Sequence, residues 1–323
     1  MVKFYAMMQY TDLLTIAIPV FERKDFFLES MESALNQTVK CKIIVIDNGS
    51  SHDLFRNICL TKEVDYYKNE SNIGLFPNWN RCFELANTPY VMILGDDDIL
   101  DPEYVSSFID AKSKNKNIDL YFSDFEILDN KTKELKNHGH VFPFGYLPNG
   151  NKVVEYGIKH RLGFPIITSA ILKEKFTGFY EEFHASNDWA WLYENVNNFS
   201  VYGENRKLLK YRSHQNNERR SIQTAINCQI SIWYIYKILL SKNLNVNKEL
   251  SFKLNNNIKV TSIWVISHIE KEYYNSIITS NNRYSVFLKN ECEANLFYKQ
   301  FLFVPLFFRL KIYKVIKKLN LIE

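Results

Sequence analysis

The 323-residue sequence is short of several features, and each shortage removes a class of protein. Its five cysteines, at positions 41, 59, 82, 228 and 292, are odd in number and contain no C-x-x-C pair. That argues against a disulfide framework or a zinc ribbon and fits reduced thiols in a cytosolic protein. No uninterrupted apolar run approaches the roughly 20 residues of a membrane-spanning helix. Residues 1–10 lack the apolar stretch of an export signal, so none is expected. Most of the chain also lacks excess charge. The net charge of +4 is concentrated in residues 299–323, where six Lys and Arg accompany one Glu, and the remainder is close to neutral. A body so balanced has no general attraction for nucleic acid. Hydrophobic content of 46% and charged content of 24% are ordinary for a globular chain of one large domain, or one domain with an appendage.

What is present is an alternation of short apolar runs and helical patterns. Leu13–Val20, Lys42–Asp47, Val64–Lys68 and the run that begins at Val91 read as strands. Between them, Asp25 is placed to open a helix with Phe27, Leu28, Met31, Ala34 and Leu35 at helical spacing. Pro77 is placed to start another that buries Trp79, Cys82, Phe83 and Leu85. Asn48-Gly49-Ser50-Ser51 is a turn signal. This order predicts an α/β fold, a doubly wound parallel sheet with right-handed crossovers, and places function at the strand C-termini near Phe21, Asp47, Asn72 and residues 96–98.

The densest chemistry is Val91-Met-Ile-Leu-Gly-Asp-Asp-Asp-Ile-Leu100. Three consecutive carboxylates repel one another unless something positive neutralises them. A hard divalent cation carrying phosphates would do so, because Mg²⁺ and Mn²⁺ prefer oxygen ligands. In an extended backbone Asp96 and Asp98 share a face and Asp97 takes the other. By themselves these ten residues fit a solvated acidic turn equally well. Asp101-Pro102-Glu103 reads as a helix start, with Asp101 as its cap.

Four stretches in order, Ile18-Pro-Val-Phe-Glu-Arg23, Val45-Ile-Asp-Asn-Gly-Ser50, Asn72-Ile-Gly74 and Leu94-Gly-Asp-Asp-Asp98, together resemble the family 2 glycosyltransferases of GT-A fold. Ser33-Ala-Leu-Asn-Gln-Thr38 matches the usual end of that family's first helix, and the likeness covers residues 12–215. The resemblance implies a mostly parallel central sheet with flanking helices. It also implies a nucleotide-sugar donor, UDP-linked by default although dTDP satisfies the same base contacts, and inverting transfer assisted by Mn²⁺ or Mg²⁺. Carried onto this chain, Pro19, Phe21 and Glu22 fall on the first-strand nucleotide motif, where Phe21 replaces the common tyrosine. Asp47 falls on the aspartate that receives a base N–H, Asn72 and Gly74 on the loop beside the nucleotide, and Asp96 on the ribose and metal contact. Asp98 falls on the direct metal ligand, with Asp97 a supporting charge of the nucleotide site. His214 matches a histidine that touches metal or diphosphate, and Arg212 is placed either to hold phosphate or on the surface. Asp188 matches the second member of an acidic pair before a helix, which makes it the expected general base. Asn187 departs from the pair's first position.

The expected organisation is a catalytic domain over residues 1–218, with its nucleotide-sugar part at 12–110 and its acceptor part at 111–218, followed by a helical region over 219–323. Ile118–Leu128 and Ile166–Leu172 are β-like, and residues 130–151 are expected to form a mobile loop near the acceptor. His138 and His140 are read as loop residues, not a metal pair. In the tail, residues 299–323, Phe308, Ile312, Val315, Ile316 and Leu319 share one helical face and Lys311, Lys314 and Lys318 the opposite one. That is the pattern of an interfacial membrane helix, against the alternative of a terminal helix packed on the body. The expectation is a cytoplasmic enzyme, peripheral on the inner membrane face, acting on a glycan or lipid-linked acceptor in capsule, O-antigen or lipopolysaccharide synthesis, with no nucleic-acid partner. Two rivals are an inactive nucleotide-sugar-binding assembly subunit and a metal-dependent phosphohydrolase. The second leaves Phe21, Glu22 and Asp47 without a role.

Overall fold

The computed structural model describes residues 12–181, 186–214, 221–242, 247–280, 282–302 and 304–318. Its centre is a ten-stranded sheet. The first strand, β1 (Leu14–Val20), is followed by α1 (Phe27–Leu35), β2 (Lys42–Asp47), α2 (Leu54–Thr61), β3 (Asp65–Lys68), α3 (Leu75–Leu85) and β4 (Tyr90–Ile93). β1 pairs in parallel with β2 on one side and β4 on the other, and β3 extends the sheet beyond β2. Chain order therefore reverses between β1 and β4, and in such a sheet the C-terminal ends at that reversal form a ligand-binding crevice.

Alternation along the strands builds the core. Leu14, Ile16, Ile18 and Val20 pack with Phe27, Met31 and Ala34 of α1 and with Phe55 and Cys59 of α2. Ala17, Ile44, Ile46 and Val91 point to the other face and are also buried, as a sheet covered on both sides requires. α3 begins at Gly74, whose φ of 98° favours glycine, and Pro77 sits in its first turn, where a missing N–H is harmless. The first helix departs from expectation. It begins at Phe27, and neither Asp25 nor Phe26 caps it through a side chain. α2 has only one buried stripe, Phe55 and Cys59, which is why the sequence pattern gives so little sign of it.

Past β4 the sheet becomes mixed. β5 (Ile99–Leu100), α4 (Tyr104–Lys114), β6 (Leu120–Asp129), β7 (Leu135–Lys136), β8 (Gly145–Leu147), α5 (Asn151–Lys159), β9 (Ser169–Leu172) and β10 (Val201–Ser213) complete it, in the spatial order β3-β2-β1-β4-β9-β6-β10-β5. β9 runs antiparallel to both β4 and β6, while β10 pairs with β6 in parallel, so the mixed sheet keeps the mostly parallel character expected and its first four strands are all parallel. The segment expected as a loop, residues 130–151, is also partly sheet. β7 pairs with β6, and β8 with β10. β10 escaped detection because Glu204, Arg206, Lys207 and Lys210 interrupt its apolar residues, although it lies inside the sheet between β6 on one side and β5 and β8 on the other. Asp101 starts α4 as expected, its Oδ1 accepting the Glu103 N–H at 2.9 Å.

Contacts divide the chain into two compact units. The first holds residues 1–153, 164–179 and 195–217, and the second holds 154–163, 180–194 and 218–323. The division is therefore not a single cut near residue 218, because two inserted segments cluster with the C-terminal helices. The second unit contains α6 (Asn187–Asn195), α7 (Ile222–Ser241), α8 (Lys248–His268), α9 (Lys271–Ile278), α10 (Arg283–Ala294), α11 (Leu296–Leu302) and α12 (Leu306–Lys318). Ser221, Asn247 and Asn282 cap α7, α8 and α10 by accepting the backbone N–H three residues on. Trp233, Tyr236, Leu254, Val265 and Leu288 are buried in this unit.

The last helix differs from its sequence pattern. α12 docks through buried Arg309, whose guanidinium donates to the Ile266 carbonyl at 2.6 Å. Phe307, Phe308, Ile312 and Val315 stay exposed, as do Lys311, Lys314 and Lys318, so apolar and basic groups share the uncovered side. Leu319 lies outside the described residues. Among the described residues no helix is long and apolar enough to cross a membrane.

Candidate active site

The first unit gathers the expected nucleotide residues at the C-terminal ends of β1, β2 and β4. β1 carries Pro19 and ends at Phe21, whose ring is 41% exposed and free to offer a face to a planar ligand. Glu22 adopts a left-handed backbone, φ 55°, an uncommon conformation for a residue with a β-carbon. It is held there by its N–H to Ser50 Oγ at 2.9 Å and by Ser51, whose N–H and hydroxyl both bond its carboxylate. The Ser51 backbone bond also depresses the Glu22 pKa. Glu22 thus staples two loops together and turns the next residue, Arg23, toward β4.

Asp47 is fully buried at the end of β2. Its Oδ1 accepts the Ser50 N–H at 2.8 Å and its Oδ2 the Tyr66 hydroxyl at 2.6 Å. Asn48, foreseen only as part of a turn, is the organiser of the adjoining loop. It donates to Asn72 Oδ1 and the Gly74 carbonyl and accepts from Asn69 and the Ile73 N–H. Gly49 is required at this crossing, because a β-carbon there would lie 2.6 Å from the Ser71 carbonyl carbon and its φ is 82°.

The aspartates do not lie on an extended strand. β4 stops at Ile93, and residues 95–98 form a turn closed by the Asp98 N–H on the Gly95 carbonyl, itself held by Ser30 Oγ. The face alternation expected for Asp96 to Asp98 is therefore lost. Asp96 and Asp97 converge on Arg23: Asp96 forms a close two-pronged pair with the guanidinium, and Asp97 Oδ2 lies 3.0 Å from its Nη1. His214 joins them through Nε2, 2.8 Å from Asp97 Oδ2. Asp98 turns away and accepts the Arg212 N–H at 2.9 Å. Arg212 fits neither expectation for it. It is 2% exposed, and its guanidinium donates to the Asp97 carbonyl, Asn130 Oδ1 and Glu29 while lying over the Phe26 ring. Arg212 is a brace beneath the acidic turn.

Electrostatics mark the turn as unusual. Burial pushes the Asp96 carboxyl up to about 6, outweighing the pull of Arg23. Burial, reinforced by Asp97, raises Asp98 well above the ordinary range. Burial works against the Arg23 charge, yet the three aspartates outweigh it and raise its pKa. Carboxylates held this high want a closer cation than one half-buried guanidinium provides. Among the described residues no three His, Cys, Asp or Glu side chains converge on one point for a metal, because Arg23 lies across the cluster. The donors themselves, carboxylate oxygens and one imidazole, suit Mn²⁺ or Mg²⁺.

Asp188 belongs to the second unit, at the second residue of α6, and is half-buried. Its neighbour Asn187 is fully buried and clamps the Tyr180 backbone, accepting its N–H at 2.9 Å and donating to its carbonyl. An ionised carboxylate accepts but cannot donate, so it could not hold both backbone groups as the Asn187 amide does.

A crevice at a sheet reversal, with an aromatic face beside β1 and a carboxylate cluster beyond β4, suits a planar ligand that carries phosphates. Comparison with known proteins agrees. Residues 15–173 match the family model described as Glycosyl transferase family 2. An uncharacterized glycosyltransferase of Rickettsia typhi is 26% identical over 225 residues, 68% of each chain. One of Methanocaldococcus jannaschii is 31% identical over 140 residues, and the match spans 40% of this chain and 48% of that protein, about half its length. The crystal structure of S. aureus TarS 1–349 in complex with UDP-GlcNAc shares the fold at a TM-score of 0.55 and 13% identity, covering 91% of this chain and 93% of that one. Over residues 15–173 the chain is therefore similar to the family 2 glycosyltransferases.

Proposed function

We propose that this protein transfers a sugar from a UDP-sugar to a hydroxyl of a glycan or lipid-linked acceptor, with inversion, in the building of a surface polysaccharide. The observation that carries this reading is the convergence of Arg23 and His214 on Asp96 and Asp97 of the acidic turn at the β1–β4 reversal, beside Phe21. Phe21 stacks on the base. A base N–H reaches Asp47 only when the Tyr66 hydroxyl gives up Oδ2. Asn72 and Gly74 line the nucleotide on the next loop. Asp96 and His214, with Asp97 beside them, would hold Mn²⁺ or Mg²⁺, which would supply charge neutralisation for a departing diphosphate, and Asp98 would join them only on giving up the Arg212 N–H.

Asp188 takes the proton from the acceptor hydroxyl as its oxygen bonds to the anomeric carbon. The bond from that carbon to the diphosphate oxygen breaks on the opposite face, so configuration inverts. A general base of this kind contributes about 10²–10⁴-fold. Asp188→Asn should therefore lower turnover by that factor and leave UDP affinity unchanged in calorimetry. Normal turnover would remove the assignment. Arg23 across the aspartates also suits a subunit that binds nucleotide sugar without turning it over. Release of UDP from UDP-sugars in the presence of Mn²⁺, followed for the wild-type protein, separates that reading from an enzyme.

The uncovered side of α12, with Phe307, Phe308, Ile312 and Val315 beside three lysines, supports peripheral attachment to an anionic membrane, where each lysine adds about 1 kcal/mol. Replacing Lys311, Lys314 and Lys318 with Glu in the full chain should abolish flotation with anionic liposomes. Undiminished flotation would refute it.

A further inference from the structure

We infer that Asp124 is a sugar-binding residue, its Oδ2 accepting a saccharide hydroxyl beside the diphosphate, and that His138 holds it in position. This rests on the glycosyltransferase reading above. Asp124 lies on β6 and is 9% exposed. Its Oδ1 is fully engaged, accepting the Phe125 N–H at 2.9 Å and bonding His138 Nε2 at 2.7 Å. Its Oδ2 has no hydrogen-bond partner among the described residues. With Oδ1 locked and Oδ2 unbonded among the described residues and reached by solvent, this carboxylate has an open acceptor for a ligand hydroxyl.

The lock is built in detail. His138 Nδ1 accepts the His140 N–H at 3.0 Å, so the neutral ring carries its proton on Nε2 and gives it to Asp124. The ring stacks on Phe125 at 4.3 Å and lies 5.1 Å from Phe142. His138 is thus a loop residue, as expected, but one packed on aromatic rings and bonded to Asp124.

Sheet register places the pair. Met92 of β4 and Tyr121 of β6 both stand opposite Ala170 of β9. Gly95 and Asp124 each follow three residues later, so Asp124 reaches the same edge of the sheet as the acidic turn, two strand spacings or about 10 Å away. It stands on the side away from Asp47, where a sugar attached to a diphosphate at β4 would extend. The register between β6 and β10 also slips on both sides of Asp124, and such bulges re-aim side chains at functional edges.

The hydroxyl could come from the donor sugar or from the acceptor, and two arms separate these sources. In the first, calorimetry with Mn²⁺ compares UDP with UDP-glucose, UDP-galactose and UDP-GlcNAc for the wild type, Asp124→Asn, His138→Gln and His138→Phe. In the second, initial rates with a panel of methyl glycosides give KM and kcat for acceptor. Asp124→Asn and His138→Phe should keep UDP affinity within twofold and weaken either UDP-sugar affinity or acceptor KM by at least about tenfold. His138→Gln keeps an N–H for Asp124 and should restore most of the loss. Wild-type behaviour of Asp124→Asn in both arms overturns the inference, as does a fall in kcat alone. A wild-type protein that neither binds UDP nor releases it from any UDP-sugar overturns the glycosyltransferase reading and this inference together.

Discussion

The two units handle buried polar groups in opposite ways. In the first, polar side chains collect at one edge of the sheet and bond one another: Asp47 with Ser50 and Tyr66, Asn48 with Asn69 and Asn72, Asp98 and the Asp97 carbonyl with Arg212. In the second, backbone demands are met by helices and their caps, and buried hydroxyls bond in separate small groups between helices, such as Tyr234 with Glu194 and Ser262 with Tyr298, while other buried polar atoms stay unbonded. Tyr193 Oη, Trp233 Nε1 and Arg309 Nε there have no hydrogen-bond partner among the described residues. The first unit has such atoms too, at Arg81 and Asn197, but neither lies at the strand ends. A bonded network concentrates desolvated charge where a substrate can use it, and each member then depends on the others.

That contrast can be tested by deletion. The largest effect belongs to Arg212→Met, which removes three guanidinium bonds beneath the acidic turn while keeping bulk. We expect a loss of about 3 kcal/mol in urea unfolding, and a change below 1 kcal/mol would break the comparison.

Next comes pH. The Asp96 pKa rises from the ordinary 3.8 to about 6 on folding, so the folded protein holds that proton more tightly. Its stabilising contribution is complete below the unfolded value and is lost as pH climbs toward 6. Without metal, the wild type should lose on the order of 1–3 kcal/mol relative to Asp96→Asn across pH 4–7. Parallel pH curves for the two proteins would deny the shift.

Arg23→Ala should cost less, about 1 kcal/mol without metal, since its side chain is 30% exposed. Mn²⁺ should then raise the melting temperature of this variant more than that of the wild type, because the competing guanidinium is gone. Equal shifts would mean that Arg23 does not contest the metal's place. The smallest effect is expected in the second unit. Tyr193→Phe deletes a hydroxyl without a partner and should leave stability within about 0.5 kcal/mol or improve it. A loss above 1 kcal/mol would reveal a bond and narrow the contrast.

The sequence determined the first four strands, Asp101 as a helix start and the grouping of Phe21, Asp47, Asn72 and the three aspartates at one edge. These features depend on local apolar alternation and on glycine and proline turns, which a linear pattern records directly. Only the tertiary structure decided the rest. β9 returns antiparallel and β10, though rich in charged residues, pairs on both sides, choices made by partners far away in the chain. Arg212 became a brace and Asn187 a backbone clamp, and neither role has a sequence period. The acidic run best shows the physical reason. Extended, it would have divided its aspartates by face. Folded into a turn under Ser30 and over Arg212, it sends two of them to Arg23 and His214 and buries the third, because long-range hydrogen bonds, and not strand alternation, set those side chains' directions.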